Sequence, residues 1–152
     1  MPTHAEQRYL PYTPEQLFDL VAAVDLYPVF LPWCIASRIK KREGHVFYAD
    51  LVIGYKMVRE KFTSRVTALR PDHIHVEYLD GPMKYLSNHW RFLPQEKGGC
   101  VIDFYIDFEF KNKIFQNLMG VFFDKLVRKM VESFEKRAKD LYGSSSEDSP
   151  AA

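Results

Sequence analysis

Residues 112–142 read NKIFQNLMGVFFDKLVRKMVESFEKRAKDLY. Apolar side chains fall at Ile114, Phe115, Leu118, Met119, Phe122, Phe123, Leu126, Val127, Met130, Val131, Phe134, Ala138 and Leu141. The steps are threes and fours, the pattern of one wide apolar face on an α-helix. No proline interrupts the run. At ~1.5 Å per residue the helix would be on the order of 45 Å long. A helix this long and this apolar on one side needs a cover, and the rest of the chain must supply it. Gly120 interrupts the stripe and sets 112–119 apart from the main helix. A glycine inside a helix costs up to ~1 kcal/mol, which points to a hinge or a close backbone approach, with the leading turns as a lid.

Working back from that helix, the period changes. Between 35 and 110 it is two, the period of strands. Strands are predicted at about 35–43, 46–55, 57–70, 73–79, 84–93 and 100–110. Glu43-Gly44, Gly54, Arg70-Pro71-Asp72, Asp80-Gly81-Pro82 and the run from Pro94 to Gly99 supply the turns between them. The last strand alternates most cleanly. Ile102, Phe104, Ile106, Phe108 and Phe110 share one face, and Asp103, Tyr105, Asp107 and Glu109 the other. One buried and one wet face describe an antiparallel sheet, and the short connections describe a meander. Ahead of these lies a short strand at 4–10. Thr13-Pro14-Glu15-Gln16 then starts a helix over 14–24, with a threonine cap, proline at the first position and glutamine three after the cap. Pro28 and Pro32 limit 25–34 to one helical turn and a tight bend. The expected fold is therefore α+β: one curved antiparallel sheet wrapped around a long C-terminal helix, a helix-grip arrangement, with two short helices after the first strand.

Composition narrows the function. The 152 residues predict one domain over 1–143, with the polar stretch GSSSEDSPAA at 143–152 predicting a disordered tail over 144–152. A net charge of +1 supplies no field for DNA. No apolar run reaches the ~20 residues that span a bilayer, and the N-terminal residues lack a signal-peptide core. Cys34 and Cys100 do not make a disulfide framework, so a cytoplasmic setting is expected.

Counting by twos puts Leu51, Ile53, Tyr55, Phe62, Val66, Leu86, Trp90, Phe92, Phe104, Ile106 and Phe108 on the apolar face. The helix adds Phe115, Met119, Phe122, Leu126 and Met130. Such a set can pack solid. The same parity turns three polar residues inward, Glu60, Ser64 and Asn88. A buried carboxylate or amide needs a partner. Either these residues form the polar end of a cavity, or a register slip or bulge returns them to solvent.

Catalytic signals are few. His4, His45 and His89 are scattered, while His73 and His75 share a strand face on the solvent side with no third metal ligand evident. Phosphate-binding loops, Cys-x-x-Cys pairs and nucleophile elbows do not occur. The chain reads as a non-enzyme, with no catalytic residue, no metal and no cofactor. Two basic groups are singled out: Arg38, Lys40, Lys41 and Arg42, and on the helix Lys125, Arg128, Lys129, Lys136, Arg137 and Lys139. Asp124–Arg128 and Glu132–Lys136 have the spacing of helix ion pairs, so these runs read first as solvated faces. A patch meeting anionic lipid or ribosomal RNA is the other reading.

Seven stretches, in order, resemble the START-like coenzyme-Q-binding family of the polyketide-cyclase/lipid-transport superfamily, whose bacterial branch includes the ribosome-association toxin RatA. They are Tyr27-Pro-Val-Phe-Leu-Pro-Trp-Cys34, Ala49-Asp-Leu-Val-Ile-Gly-Tyr55, Glu60-Lys-Phe-Thr-Ser64, Asp80-Gly-Pro82, Trp90-Arg-Phe92, Asp107-Phe-Glu-Phe110 and Phe123 through Gly143. The resemblance implies a helix-grip fold with a hydrophobic tunnel. It implies either coenzyme Q or another polyprenyl lipid as ligand, in support of respiration, or the large ribosomal subunit as partner, with subunit association blocked. Trp33 looks more like the quinone-binding members. With the tunnel implied, the expected ligand-binding set is Phe30, Trp33, Leu51, Ile53, Tyr55, Glu60, Phe62, Asn88, Trp90, Phe104, Ile106, Phe108, Met119, Phe122, Leu126 and Met130. The region Tyr27–Cys34 and the turn Asp80-Gly81-Pro82 are the expected gates. Contact with the inner face of the membrane would be peripheral.

Overall fold

The computed structural model describes residues 3–55 and 58–143, with the side chains of 55, 58, 115 and 118–124 outside the description. The predicted tail over 144–152 also lies outside the described residues. Strand β1 (Thr3–Leu10) leads into helix α1 (Pro14–Ala22), a 3-10 turn (Val24–Leu26) and the one-turn helix α2 (Tyr27–Phe30). Six strands follow: β2 (Cys34–Glu43), β3 (Val46–Tyr55), β4 (Val58–Leu69), β5 (His73–Asp80), β6 (Met83–Pro94) and β7 (Cys100–Phe110). Helix α3 (Lys113–Tyr142) ends the described chain.

The strands form one seven-stranded antiparallel sheet in the order β1-β7-β6-β5-β4-β3-β2. The meander from β2 to β7 is as expected, and β1 closes the far edge against β7. Thr13 caps α1 through a reciprocal pair of bonds. Gln16 N–H donates to Thr13 Oγ1, and Thr13 N–H donates to Gln16 Oε1, both at 3.0 Å. The helix expected over 14–24 ends at Ala22, where the chain tightens into the 3-10 turn.

α3 runs through Gly120 without a break, so its backbone carries no division at 119/120. Its C-terminal half is pinned to the start of the chain. Arg8 Nη1 donates to Glu135 Oε1 at 2.6 Å, Tyr142 hydroxyl donates to Gln16 O at 3.0 Å, and Tyr12 hydroxyl donates to Gly143 O at 2.8 Å. Phe134, buried, meets Tyr27, Phe30 and Trp90 at ring separations of 5.4, 5.2 and 5.0 Å.

The two ends of the sheet are filled differently. At one end α1 presses Leu17, Phe18, Leu20 and Val21 onto Phe92, Ile102 and Phe104, and a void of only about 20 Å³ remains there. Phe18 and Phe92 meet edge to face at 5.8 Å. Beyond the reach of α1, α3 and the segment Val24–Trp33 are what faces the sheet among the described residues, and the interior is hollow.

Candidate functional site

The hollow is a cavity of about 240 Å³ between the concave face of the sheet and α3. Strand alternation builds most of its wall. β3 contributes Leu51, Ile53 and Gly54, and β4 contributes Glu60, Phe62, Ser64 and Val66. From β5, β6 and β7 come Val76, then Met83, Leu86, Asn88 and Trp90, then Ile106, Phe108 and Phe110. The helix supplies Leu126, Val127, Met130 and Phe134, and the loop segment Val24, Tyr27, Leu31 and Trp33.

The structure therefore places Trp33, Leu51, Ile53, Glu60, Phe62, Asn88, Trp90, Ile106, Phe108, Leu126 and Met130 of the expected set on this one wall. Phe104 and Phe30 are placed elsewhere. Phe104 shares the parity of Ile106 but lies at the end that α1 fills. There it packs edge to face on Trp90 at 4.6 Å and lines the small void instead. Phe30 turns from the cavity toward α3, against Phe134 and under the Arg137 guanidinium, 5.4 Å from its ring centre. Tyr55, Met119 and Phe122 lie outside the described side chains. Sequence reasoning left Tyr27, Leu31 and Val24 out of the ligand set. The proline-punctuated stretch around them gives no period from which an inward face can be counted.

The wall has few polar groups, and their states differ. Asn88 is engaged: its Nδ2 donates to Tyr105 O at 2.9 Å, and its Oδ1 accepts from Trp90 Nε1 at 2.9 Å. The amide thereby fixes the indole plane against the cavity and keeps one N–H for a ligand. Ser64 is almost fully buried and adds a hydroxyl. Glu60 is half-buried, and no ion pair or side-chain hydrogen bond of it is found among the described residues. The Tyr27 hydroxyl donates to Val21 O, and burial raises its pKa further above the ordinary tyrosine range. Burial also pushes the Cys34 thiol up to about 11, so it is not an activated nucleophile. Cys100, likewise buried, is pushed up to about 11.

Of the expected gates, the loop lines the cavity through Tyr27, Leu31 and Trp33, and the turn lies against the lining residue Phe62. Trp33 O accepts from Gly54 N at 2.8 Å, tying the loop to the end of β3. Gly81 has φ +146°, and a Cβ built on it would come within 2.6 Å of Phe62 Cβ. The Asp80-Gly81-Pro82 turn therefore rests directly on the cavity wall, and only glycine fits there.

The convex face is polar. A bulge between Ile39 and Lys41 keeps Ile39 opposite Ala49 and turns Arg38, Lys40 and Lys41 outward together. Asp50 lies among these cations, only 4% exposed. It accepts from Arg38 Nε and Nη2 at 3.1 Å and from Thr63 Oγ1 at 2.6 Å, with Lys61 Nζ at 3.6 Å and Lys40 Nζ at 3.9 Å. Burial alone would raise its pKa. The Thr63 and Arg38 bonds and the two lysine charges outweigh that and hold the carboxyl below the usual range. On the same face His89 joins His73 and His75, a neighbour that sequence distance hides. His75 and His89 stack at 4.0 Å, and His73 Nε2 lies 3.1 Å from His89 Nδ1. Even so, no group of three His, Cys, Asp or Glu among the described residues is arranged to hold a metal ion. No helix among those residues is long and apolar enough to cross a membrane.

Comparison with known proteins gives this architecture relatives. A family model described as polyketide cyclase / dehydrase and lipid transport matches residues 10–135. A Rickettsia prowazekii protein named ribosome association toxin RatA is 38% identical over 138 residues, covering 88% of this chain and 94% of that one. A Xenopus laevis protein named coenzyme Q-binding protein COQ10 homolog B, mitochondrial, is 35% identical over 144 residues, 92% of this chain but 59% of the frog protein's length. The solution structure of an 18 kDa Caulobacter crescentus protein superposes with a TM-score of 0.76 at 37% identity, covering 95% of this chain and 100% of that one.

Proposed function

The chain belongs to the polyketide cyclase / dehydrase and lipid transport family, and from that premise we propose that it is a non-enzymatic carrier for coenzyme Q or a related polyprenyl lipid. One observation carries the reading. The cavity between sheet and helix is bounded by aromatic, leucine, isoleucine, valine and methionine side chains, with only a few polar groups on its wall. Apolar burial at ~25 cal/mol per Å² would drive uptake, offset by the cost of ordering the tail. Methionines such as Met83 and Met130 adapt their shape cheaply to a flexible chain. Among the described residues the wall holds no pair of groups arranged for proton transfer to a bound substrate: Asn88 is an amide engaged with Trp90 and Tyr105, and Glu60 stands without a described acid or base partner. That favours holding over turnover, although the family description includes cyclases and dehydrases. The loop Tyr27–Cys34 and the turn at Gly81 are the rim through which the ligand passes. The test is organic extraction of the purified protein followed by mass spectrometry. A polyprenyl quinone should be recovered in stoichiometric yield. Recovery of none, together with no uptake of added quinone, overturns the reading.

A second reading rests on the convex face. Arg38, Lys40, Lys41 and Lys61 are all exposed there, an array suited to the phosphates of ribosomal RNA. The Rickettsia relative carries a ribosome-association name. This reading expects co-sedimentation with large ribosomal subunits that weakens steeply with salt. An unchanged ribosome profile on adding the protein removes it.

A further inference from the structure

We propose that Glu60 makes the cavity selective for a ligand head that donates a hydrogen bond, so that the hydroquinone form of a quinone lipid is held in preference to the quinone. This rests on the carrier reading above.

The argument starts from what the cavity wall offers. Ser64, whose hydroxyl can donate or accept, and the remaining N–H of Asn88 sit on neighbouring rungs of the sheet. Ser64 pairs with Tyr78, and Asn88 with Val76. Glu60 stands four residues before Ser64 on the same face of β4, roughly 13 Å along the strand. It pairs with Ile53, beside Gly54 and Trp33 at the loop end of the cavity. Ser64 and Asn88 are therefore separated from Glu60, and a ring at the loop end meets Glu60 without meeting Asn88.

A carboxylate only accepts hydrogen bonds. A quinone oxygen also only accepts. Placing one against the other leaves both without a proton between them, in a wall that is otherwise apolar there: Ile53, Phe62 and the Trp33 ring. A hydroquinone hydroxyl donates and completes the pair. A ligand that covers this half-buried acceptor without matching it pays for its desolvation, whereas a hydrogen bond to a charged group is among the stronger ones. Sites built around such a bond reject the partner that lacks it. No charge elsewhere in the described wall substitutes for Glu60, because the other residues at the loop end are apolar.

Both tryptophans of the chain, Trp33 and Trp90, line the cavity. Their fluorescence therefore reports binding directly. The test titrates the full chain, without oxygen and at neutral pH, with three probes: a decyl-tailed benzoquinone, its hydroquinone, and a hydrocarbon of the same tail length. The hydroquinone should bind about tenfold or more tightly than the quinone. For a two-electron couple a tenfold preference also raises the midpoint potential of the bound ligand by about 30 mV. Glu60→Gln, whose amide both donates and accepts, should bring the two affinities together, and so should Glu60→Leu, with the hydrocarbon as the reference for tail binding in each protein. Equal affinities in the unmodified protein, or a preference for quinone, overturn this inference and leave the carrier reading standing. A preference that survives both substitutions overturns it as well. Failure of all three probes to bind overturns the carrier reading and this inference together.

Discussion

Each face of the sheet carries an acid, Asp50 buried and Glu60 half-buried, and the two are treated in opposite ways. On the convex side Asp50 accepts from Arg38 and Thr63, with Lys61 and Lys40 close by. On the concave side Glu60 looks into an apolar cavity, and no partner for it is found among the described residues. A carboxylate whose partners are built into the fold is structural. One left unmatched in a hollow adds nothing to stability that the fold can use, and it is free to act on something from outside. The same contrast separates the two ends of the concave face: α1 fills one, and the other stays open.

The most damaging change should strike the element that joins the open end to the filled one. Phe134 touches Tyr27, Phe30 and Trp90 and is buried. Phe134→Ala removes a ring at the junction of α2, α3 and β6 and should cost about 3–5 kcal/mol. Urea unfolding would show it as a lower midpoint. The loss should not depend on salt, since no charge is removed.

The convex side should break differently. Asp50→Ala leaves Arg38, Lys40, Lys61 and Thr63 without their shared acceptor. Those cations are largely exposed, so the loss is screened and comes to about 1–3 kcal/mol. Its pH dependence has a fixed sign. The folded-state pKa of Asp50 is depressed, so the stability it contributes is fully present above the ordinary carboxylate value of about 3.9. It is lost as pH falls through the depressed folded value. The gap between the two proteins should therefore be full at neutral pH and close below about pH 4. A gap that stays constant down to strongly acid pH would mean that Asp50 acts through packing and not through charge.

The sheet, the capping box at Thr13 and the inward face of β7 are legible in the sequence because each follows from a period or a spacing within one short segment. What stays hidden comes from neighbours in space. Asp50 alternates outward from Leu51 and so reads as solvated, and its burial depends on Arg38 and Thr63 being set opposite it by register. The bulge that turns Lys40 and Lys41 the same way breaks the parity rule inside one strand. His89 reaches His75 only through the pairing of β5 with β6. Phe104 shows the limit of parity in another way. It points to the correct face, but parity carries no information about depth along a strand, and α1 decides which end is solid. Tyr27 and Leu31, expected only as part of a gate, escape the ligand set because prolines suppress periodicity where the chain bends.

The smallest expected change in stability is the one that separates the two acids most sharply. Glu60→Leu removes a carboxylate that gains no described partner from folding and replaces it with a side chain that matches Ile53 and Phe62. A half-buried polar side chain without a described partner adds little to folding, so replacing it with an apolar one should leave stability unchanged or raise it by up to about 1 kcal/mol. The urea midpoint should hold or rise at constant slope, since the surface exposed on unfolding barely changes. Asp50→Ala, measured alongside, should move the midpoint down. Two acids of similar chemistry on one sheet would then shift stability in opposite directions. A loss at Glu60 as large as that at Asp50 would mean that Glu60 has a partner in the folded chain and is not available to a ligand.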